Sequence, residues 1–231
     1  MSFSGKVKEE LAGQFSKARH CQIAELAAIV MFCAKFYEEG KKIVIATENE
    51  LATGKCRTLL KALFRWNPPE NKECKDSEIV LEGTPAKQLM ELLKIESHHL
   101  QMNSKAAELL SCSQRLLSGT CCKRAFIRGV FLCTGSLTSP EKKYHFEIAV
   151  QGEKRALQIQ QIMNDFEMDA KIVIRKKYFV VYVKEAERIA DLLNIMGAHV
   201  ALMDMENARI LKEMRNSINR ILTEQMAEAV R

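Results

Sequence analysis

"ELAAIVMFCAKF", residues Glu25 to Phe36, and "FIRGVFLCTGSL", residues Phe126 to Leu137, are two versions of one small-residue helix. Ala24, Ala27, Ala28 and Ala34 in the first, and Ala125, Gly129 and Gly135 in the second, recur at helical spacing. Side chains this small leave a flat seam along which two helix backbones can approach closely. A helix of this kind would need a carboxylate at a particular place to do chemistry, and neither copy carries one there.

The flanking pattern repeats with the helix. "KKYHFEIAV" (Lys142 to Val150) alternates, placing Tyr144, Phe146, Ile148 and Val150 on one face and His145, Glu147 and Ala149 on the other, as a half-buried strand should. "KKIVIATEN" (Lys41 to Asn49) answers it in the first copy. Helical segments follow, Leu51 to Phe64 and Lys154 to Phe166, then strand-like "SEIVLEG" in one copy and "AKIVIRKKYFVVYV" in the other. "AKQLMELLKI" (Ala86 to Ile95) and "AERIADLLNI" (Ala186 to Ile195) close the two units. The expected class is α+β: two pseudo-two-fold-related α-β-α-β-β-α halves, residues 21–96 and 121–197, forming a saddle of antiparallel strands.

Outside the repeats the pattern is helical. Residues 1–20 hold an amphipathic helix from 3 to 13, with Ser2 or Ser4 as N-cap and Val7 and Leu11 facing inward. Residues 97–120 read as a helical connector over 98–117, stopped by Gly119. Residues 198–231 read as one long helix, with Leu202, Met205, Ile210, Met214, Ile218, Ile221 and Leu222 on its apolar side.

At 231 residues, 47% hydrophobic and 28% charged, the chain can bury a full core. Its longest apolar run, Leu26 to Ala34, is half what a membrane span requires, and "MSFSGKVKEELAG" has no apolar signal core, so a cytoplasmic protein with no membrane partner is expected. Eight cysteines stand singly, apart from the adjacent Cys121 and Cys122. They lack both a disulfide framework and any C-x-x-C half-site, so no metal or other cofactor is expected. Internal duplication supplies two-fold symmetry within one chain, which makes a monomer the default.

The opening "MSFSGKVKEELAG", the "CCKRAFIRGVFLCTGS" block and the "ENARILKEMRNSINR" block together resemble the WhiA family of bacterial regulators. "FIRGVFLCTGSL" is similar to the LAGLIDADG helix of homing endonucleases. The resemblance runs from Ser2 to about Arg220. It implies a LAGLIDADG homing-endonuclease-like fold and a DNA-binding, nucleoid-associated regulator from Gram-positive bacteria, linked to cell division and to sporulation genes in spore formers. It also implies a second, helix-turn-helix domain, for which the residues after Gly197 are too few.

In the endonucleases an acidic residue ending each central helix binds divalent metal beside the scissile phosphates. The matching positions here are Cys33 and Thr134, and the motif's other acidic position falls on Met31 and Leu132. Hard Mg²⁺ requires oxygen ligands and a metal clamp on the phosphate, which a thiol and a hydroxyl do not supply. Glu38, Glu39 and Glu141 lie just beyond the helices and read as solvated loop carboxylates. No catalytic residue and no enzyme activity is therefore expected.

DNA binding is the expectation that remains. A formal charge of +6 and a pI near 8.8 favour anionic partners. Basic candidates gather at Lys123, Arg124 and Arg128, at Lys142 and Lys143, at Arg175, Lys176 and Lys177, and along the last helix at Arg209, Lys212, Arg215 and Arg220. The strand faces offer His145, Glu147, Thr47 and Glu48, a poor set for reading bases, so binding without the helix-turn-helix domain should be weak and non-specific. The alternative is a scaffold that binds a protein partner and positions a separate DNA-binding domain. Redox sensing through Cys121 and Cys122 ranks below both.

Overall fold

A computed structural model describes residues 2–47, 49–66, 78–94 and 112–229. The two quoted stretches form helices α2 (Arg19–Cys33) and α5 (Thr120–Thr134), which lie side by side and make the most extensive contact between any two elements. The small-residue seam is what lets them meet. A Cβ added at Gly129 would stand 2.8 Å from both Ala28 Cβ and the Glu25 carbonyl oxygen, so a side chain there has no room.

Each helix runs directly into a strand. Ala34 and Gly135 take extended backbone conformations at the C-caps, and the chain runs on as β1 (Ala34–Tyr37) and β4 (Gly135–Leu137). These two strands add to the expected unit, while of the pair expected between the second and third helices of the first half one strand is seen, residues 67–77 lying outside the described residues. The order becomes α2-β1-β2-α3-β3-α4 in the first half and α5-β4-β5-α6-β6-β7-α7 in the second. They are too short to alternate legibly, and the sequence reads them as the tail of the helix. The other elements are β2 (Lys42–Ala46), α3 (Glu50–Phe64), β3 (Glu78–Glu82), α4 (Thr84–Leu93), β5 (Phe146–Val150), α6 (Glu153–Asn164), β6 (Lys171–Arg175), β7 (Tyr178–Val183) and α7 (Ala186–Met196).

The described strands form two antiparallel sheets, ordered β1-β2-β3 and β4-β5-β7-β6. Register settles which face is which. Ile43 pairs with Leu81 and Ile45 with Ile79, all buried, while Phe146, Ile148, Val181 and Val183 make the matching inner face of the second sheet. The outer faces carry Lys35, Tyr37, Lys42, Val44 and Glu82 in the first sheet, and Glu147, Lys171, Val173, Arg175, Tyr178 and Tyr182 in the second. The inner faces join α2 and α5 in one core that extends from Val7 and Leu11 to Met205.

Helix α1 (Phe3–Gly13) has Ser2 as its cap, its hydroxyl accepting from the Gly5 N–H. It buries Val7 and Leu11 as the periodicity requires. Helix α8 (His199–Ala229) follows Gly197, whose φ of +89° suits the turn. The Glu10 carboxylate of α1 accepts from the Val200 and Ala201 N–H groups at 2.8 and 3.0 Å, placing an anion on the positive end of α8. The expected helix over 98–117 lies mostly outside the described residues; its described end is a 3-10 turn, Gln114–Leu117. Gly119 is the N-cap of α5 rather than a helix stop.

Candidate nucleic-acid interface

Cys33 and Thr134 sit where α2 and α5 emerge between the two sheets. Cys33 is joined there by Cys133. The hydrogen bond from Cys133, helped by Thr47 and nearby Lys8, lowers the Cys33 thiol against the opposing effect of burial. The same hydrogen bond and burial raise Cys133 well above its ordinary value. Burial lowers the Lys8 ammonium, opposed by the charges of Cys133 and Cys33. Thr134 turns its hydroxyl back on its own helix, donating to the Val130 carbonyl at 3.3 Å. Asn49, which caps α3 by accepting from the Leu51 N–H, donates its amide to the Leu132 carbonyl of α5 at 2.8 Å and so ties the halves together.

Among the described residues this centre is thiol, hydroxyl, amide and ammonium. Glu38 and Glu39 are exposed beyond β1. Five residues of extended chain put Glu38 roughly 16 Å from Cys33. Glu141 is likewise exposed, in the connection between β4 and β5.

The basic candidates divide by place. Lys142 and Lys143 are exposed in the β4–β5 connection, and Lys176 and Lys177 are exposed in the β6–β7 turn. Arg175 lies on the outer sheet face, but its guanidinium is 3.0 Å from Glu147, which also meets His145 at 3.0 Å. The sequence reading missed Lys35, outward and exposed on β1, because a strand hidden in a helix tail has no visible faces. Lys123 and Arg124 belong to the start of α5, about 15–17 Å along the helix from Thr134. Lys123 pairs with Asp165 at 2.6 Å, and Arg124 donates to the Ile195 and Asn194 carbonyls at the end of α7. On α8, Arg209 is held by Glu187, Glu206 and Glu213, Lys212 lies over the Tyr144 ring, Arg215 lines a groove with Phe3 and Lys6, and Arg220 is 3.9 Å from Glu224.

Arg128 is a correction. It is 8% exposed and holds the wholly buried Glu25 in a two-point grip, Nε to Oε1 at 2.8 Å and Nη2 to Oε2 at 3.2 Å. It also donates to the Met196 carbonyl and the Ser16 hydroxyl. Lys55 completes the cluster, its ammonium 2.6 Å from Glu25 Oε1 and bonded to the Leu11 carbonyl at 2.5 Å. Position 128 is on the seam side of α5, where a cation can persist only with a carboxylate opposite it. Arg128 is held in the core, its guanidinium engaged by Glu25, Met196 and Ser16.

At the far end of the helix pair His20, Cys21, Cys121 and Cys122 come together, with His20 Nε2 3.4 Å from Cys121 Sγ. Linear spacing gives no sign of this grouping, because its two halves are a whole repeat apart.

Residues 123–215 match the family model described as the WhiA LAGLIDADG-like domain. A protein of Lachnoclostridium phytofermentans called probable cell division protein WhiA is 49% identical over 95% of this chain and 72% of its own length. One of the same name from Alkaliphilus oremlandii is 39% identical over 96% and 72%. Among solved structures, full-length DUF199/WhiA from Thermatoga maritima superposes with a TM-score of 0.71 at 20% identity, covering 98% of this chain and 74% of that one. The homing endonuclease I-DmoI, in complex with DNA and Mn, superposes with a TM-score of 0.52 at 13% identity over 78% of this chain and 98% of that one.

Proposed function

The chain belongs to the WhiA family, and from that premise we propose that it is a DNA-binding regulator of cell division and sporulation genes built on a nuclease scaffold that does not cut. The observation that carries this reading is the pair of outer sheet faces flanking a centre whose described residues include no carboxylate, with exposed cations at their turns. The fold neighbour I-DmoI is a homing endonuclease found with DNA and Mn, and a duplex laid across the outer sheet faces and turns of this chain would meet Lys35, Lys142, Lys143, Lys176 and Lys177. Lysines grip phosphates and supply affinity that falls with salt, without reading bases. The Glu147 carboxylate takes up part of the Arg175 charge on that surface, in keeping with weak, sequence-tolerant association by these 231 residues.

The test is a mobility-shift series across salt. Each phosphate contact contributes about −0.9 to the slope of log affinity against log salt. Changing Lys176→Gln and Lys177→Gln together should lower the slope by nearly two such steps, and an unchanged slope would remove these lysines from the interface. Incubation with plasmid DNA and Mg²⁺ or Mn²⁺ should leave the strands intact; cleavage abolished by Glu38→Gln or Glu141→Gln would overturn the inactive assignment.

One observation favours a second reading, a scaffold that positions a separate DNA-binding domain. Ile210, Met214, Ile218, Ile221 and Leu222 make an exposed apolar stripe on α8. On this reading the stripe seats the helix-turn-helix domain that the family resemblance implies, and that domain supplies sequence specificity. Comparing the chain with a form carrying that domain, on the same DNA at the same salt, separates the two.

A further inference from the structure

The starts of α2 and α5 hold a cluster unrelated to the DNA-facing surface. His20 and Cys21 are the second and third residues of α2, and Cys121 and Cys122 are the second and third residues of α5. The internal two-fold therefore brings together two equivalent pairs. One ligand atom from each of the four residues lies within 4.8 Å of all the others. A tetrahedral zinc ion with Zn–S bonds of about 2.3 Å needs sulfur atoms about 3.8 Å apart, so closure by about 1 Å at the widest pair suffices. The His20–Cys121 separation of 3.4 Å is already within that range.

We propose that His20, Cys21, Cys121 and Cys122 bind one zinc ion in a closed four-ligand site that clamps the two halves of the molecule together.

Three features besides distance support it. The donor set, three sulfurs and one imidazole nitrogen, suits zinc, and with all four positions taken by protein the site is structural rather than catalytic. Cys21 and Cys122 are buried, whereas His20 and Cys121 are exposed, so the ion has a route in and a protected seat. Neither helix start has a side-chain cap: Ala18 and Gly119 occupy the N-cap positions and make no such hydrogen bond. Zinc with three thiolates and a neutral imidazole carries a net negative charge. Two uncapped helix N-termini are the complement to that charge, since their N–H groups and dipoles favour an anion. On binding, Zn²⁺ takes the Nε2 lone pair of neutral His20 and displaces one proton from each thiol, releasing three protons to solvent. The clamp acts at the opposite end of the helix pair from Cys33 and Thr134, so it braces the saddle without entering its DNA-facing surface.

The experiment is metal analysis of the full 231-residue chain purified without chelator, followed by Co²⁺ titration of the stripped protein. One zinc per chain and the intense visible absorption of tetrahedral cobalt with thiolate charge transfer are expected. Loss of a second-shell partner alone costs about 10–100-fold in metal affinity, so Cys121→Ser and His20→Ala, both at exposed positions, should each weaken cobalt binding at least about 100-fold. Circular dichroism checks that both variants stay folded. Cys33→Ser, at the other end of α2, should bind like the parent. Sub-stoichiometric zinc lost on desalting, a titration unchanged in Cys121→Ser, an iron–sulfur spectrum, or a disulfide within the cluster of the freshly purified protein would each overturn the site.

Discussion

Arg128 gives the sharpest test of the assignment, because a DNA contact and a core lock respond to its removal in opposite assays. Glu25 is fully buried and receives two bonds from Arg128 and one from Lys55. Breaking a buried ion pair by removing one partner costs about 3–5 kcal/mol, against a whole-domain stability of about 5–15 kcal/mol. Glu25→Ala strands two buried cations and should fall at the top of that range. Arg128→Ala leaves Glu25 neutralised by Lys55 and should fall near the bottom, at about 3 kcal/mol. Lys55→Met keeps the two-point grip and removes the surplus charge, so it should cost least. Burial already holds the Lys55 ammonium below its ordinary value despite the pull of Glu25. Equilibrium urea unfolding, followed by the fluorescence of Trp66 packed against the core, reads the order directly. An Arg128→Ala protein within about 1 kcal/mol of the parent, but with a shallower salt dependence of DNA binding, would refute the reasoning and return Arg128 to the interface.

Gly129→Ala should destabilise: the Cβ would meet Ala28 and the Glu25 carbonyl at 2.8 Å, and overpacking of about 1–3 kcal/mol outweighs the gain of up to about 1 kcal/mol in helix propensity. A higher melting temperature would show that the helices are further apart. Burial pushes the Cys112 thiol from an ordinary 9.0 up to about 12. The folded state keeps a proton that the unfolded chain releases, so this contribution is whole below pH 9.0 and is lost as pH rises toward 12. Urea midpoints should accordingly fall more steeply above pH 9.0 in the parent than in Cys112→Ala. Glu147→Gln releases Arg175 from its ion pair and should tighten DNA association at low salt, an increase in affinity read by the same mobility shift.

The sequence by itself determined the duplication, the class and most of the faces. Alternation placed Phe146, Ile148 and Val150 inward, helical spacing placed Val7 and Leu11 inward, and small residues marked the seam, because these signals are local and survive in a string. That Cys33 and Thr134 stand where the resemblance would put carboxylates was equally legible, since only residue identity is needed to see it. Tertiary structure alone decided which cations point where. Arg128 reads like its neighbours Lys123 and Arg124 until Glu25, a repeat away in the chain, is found against it. His20, Cys21, Cys121 and Cys122 become one cluster only when parallel packing brings the two helix starts together. Charge pairing and ligand convergence depend on separations in space, and a linear pattern records only separations along the chain.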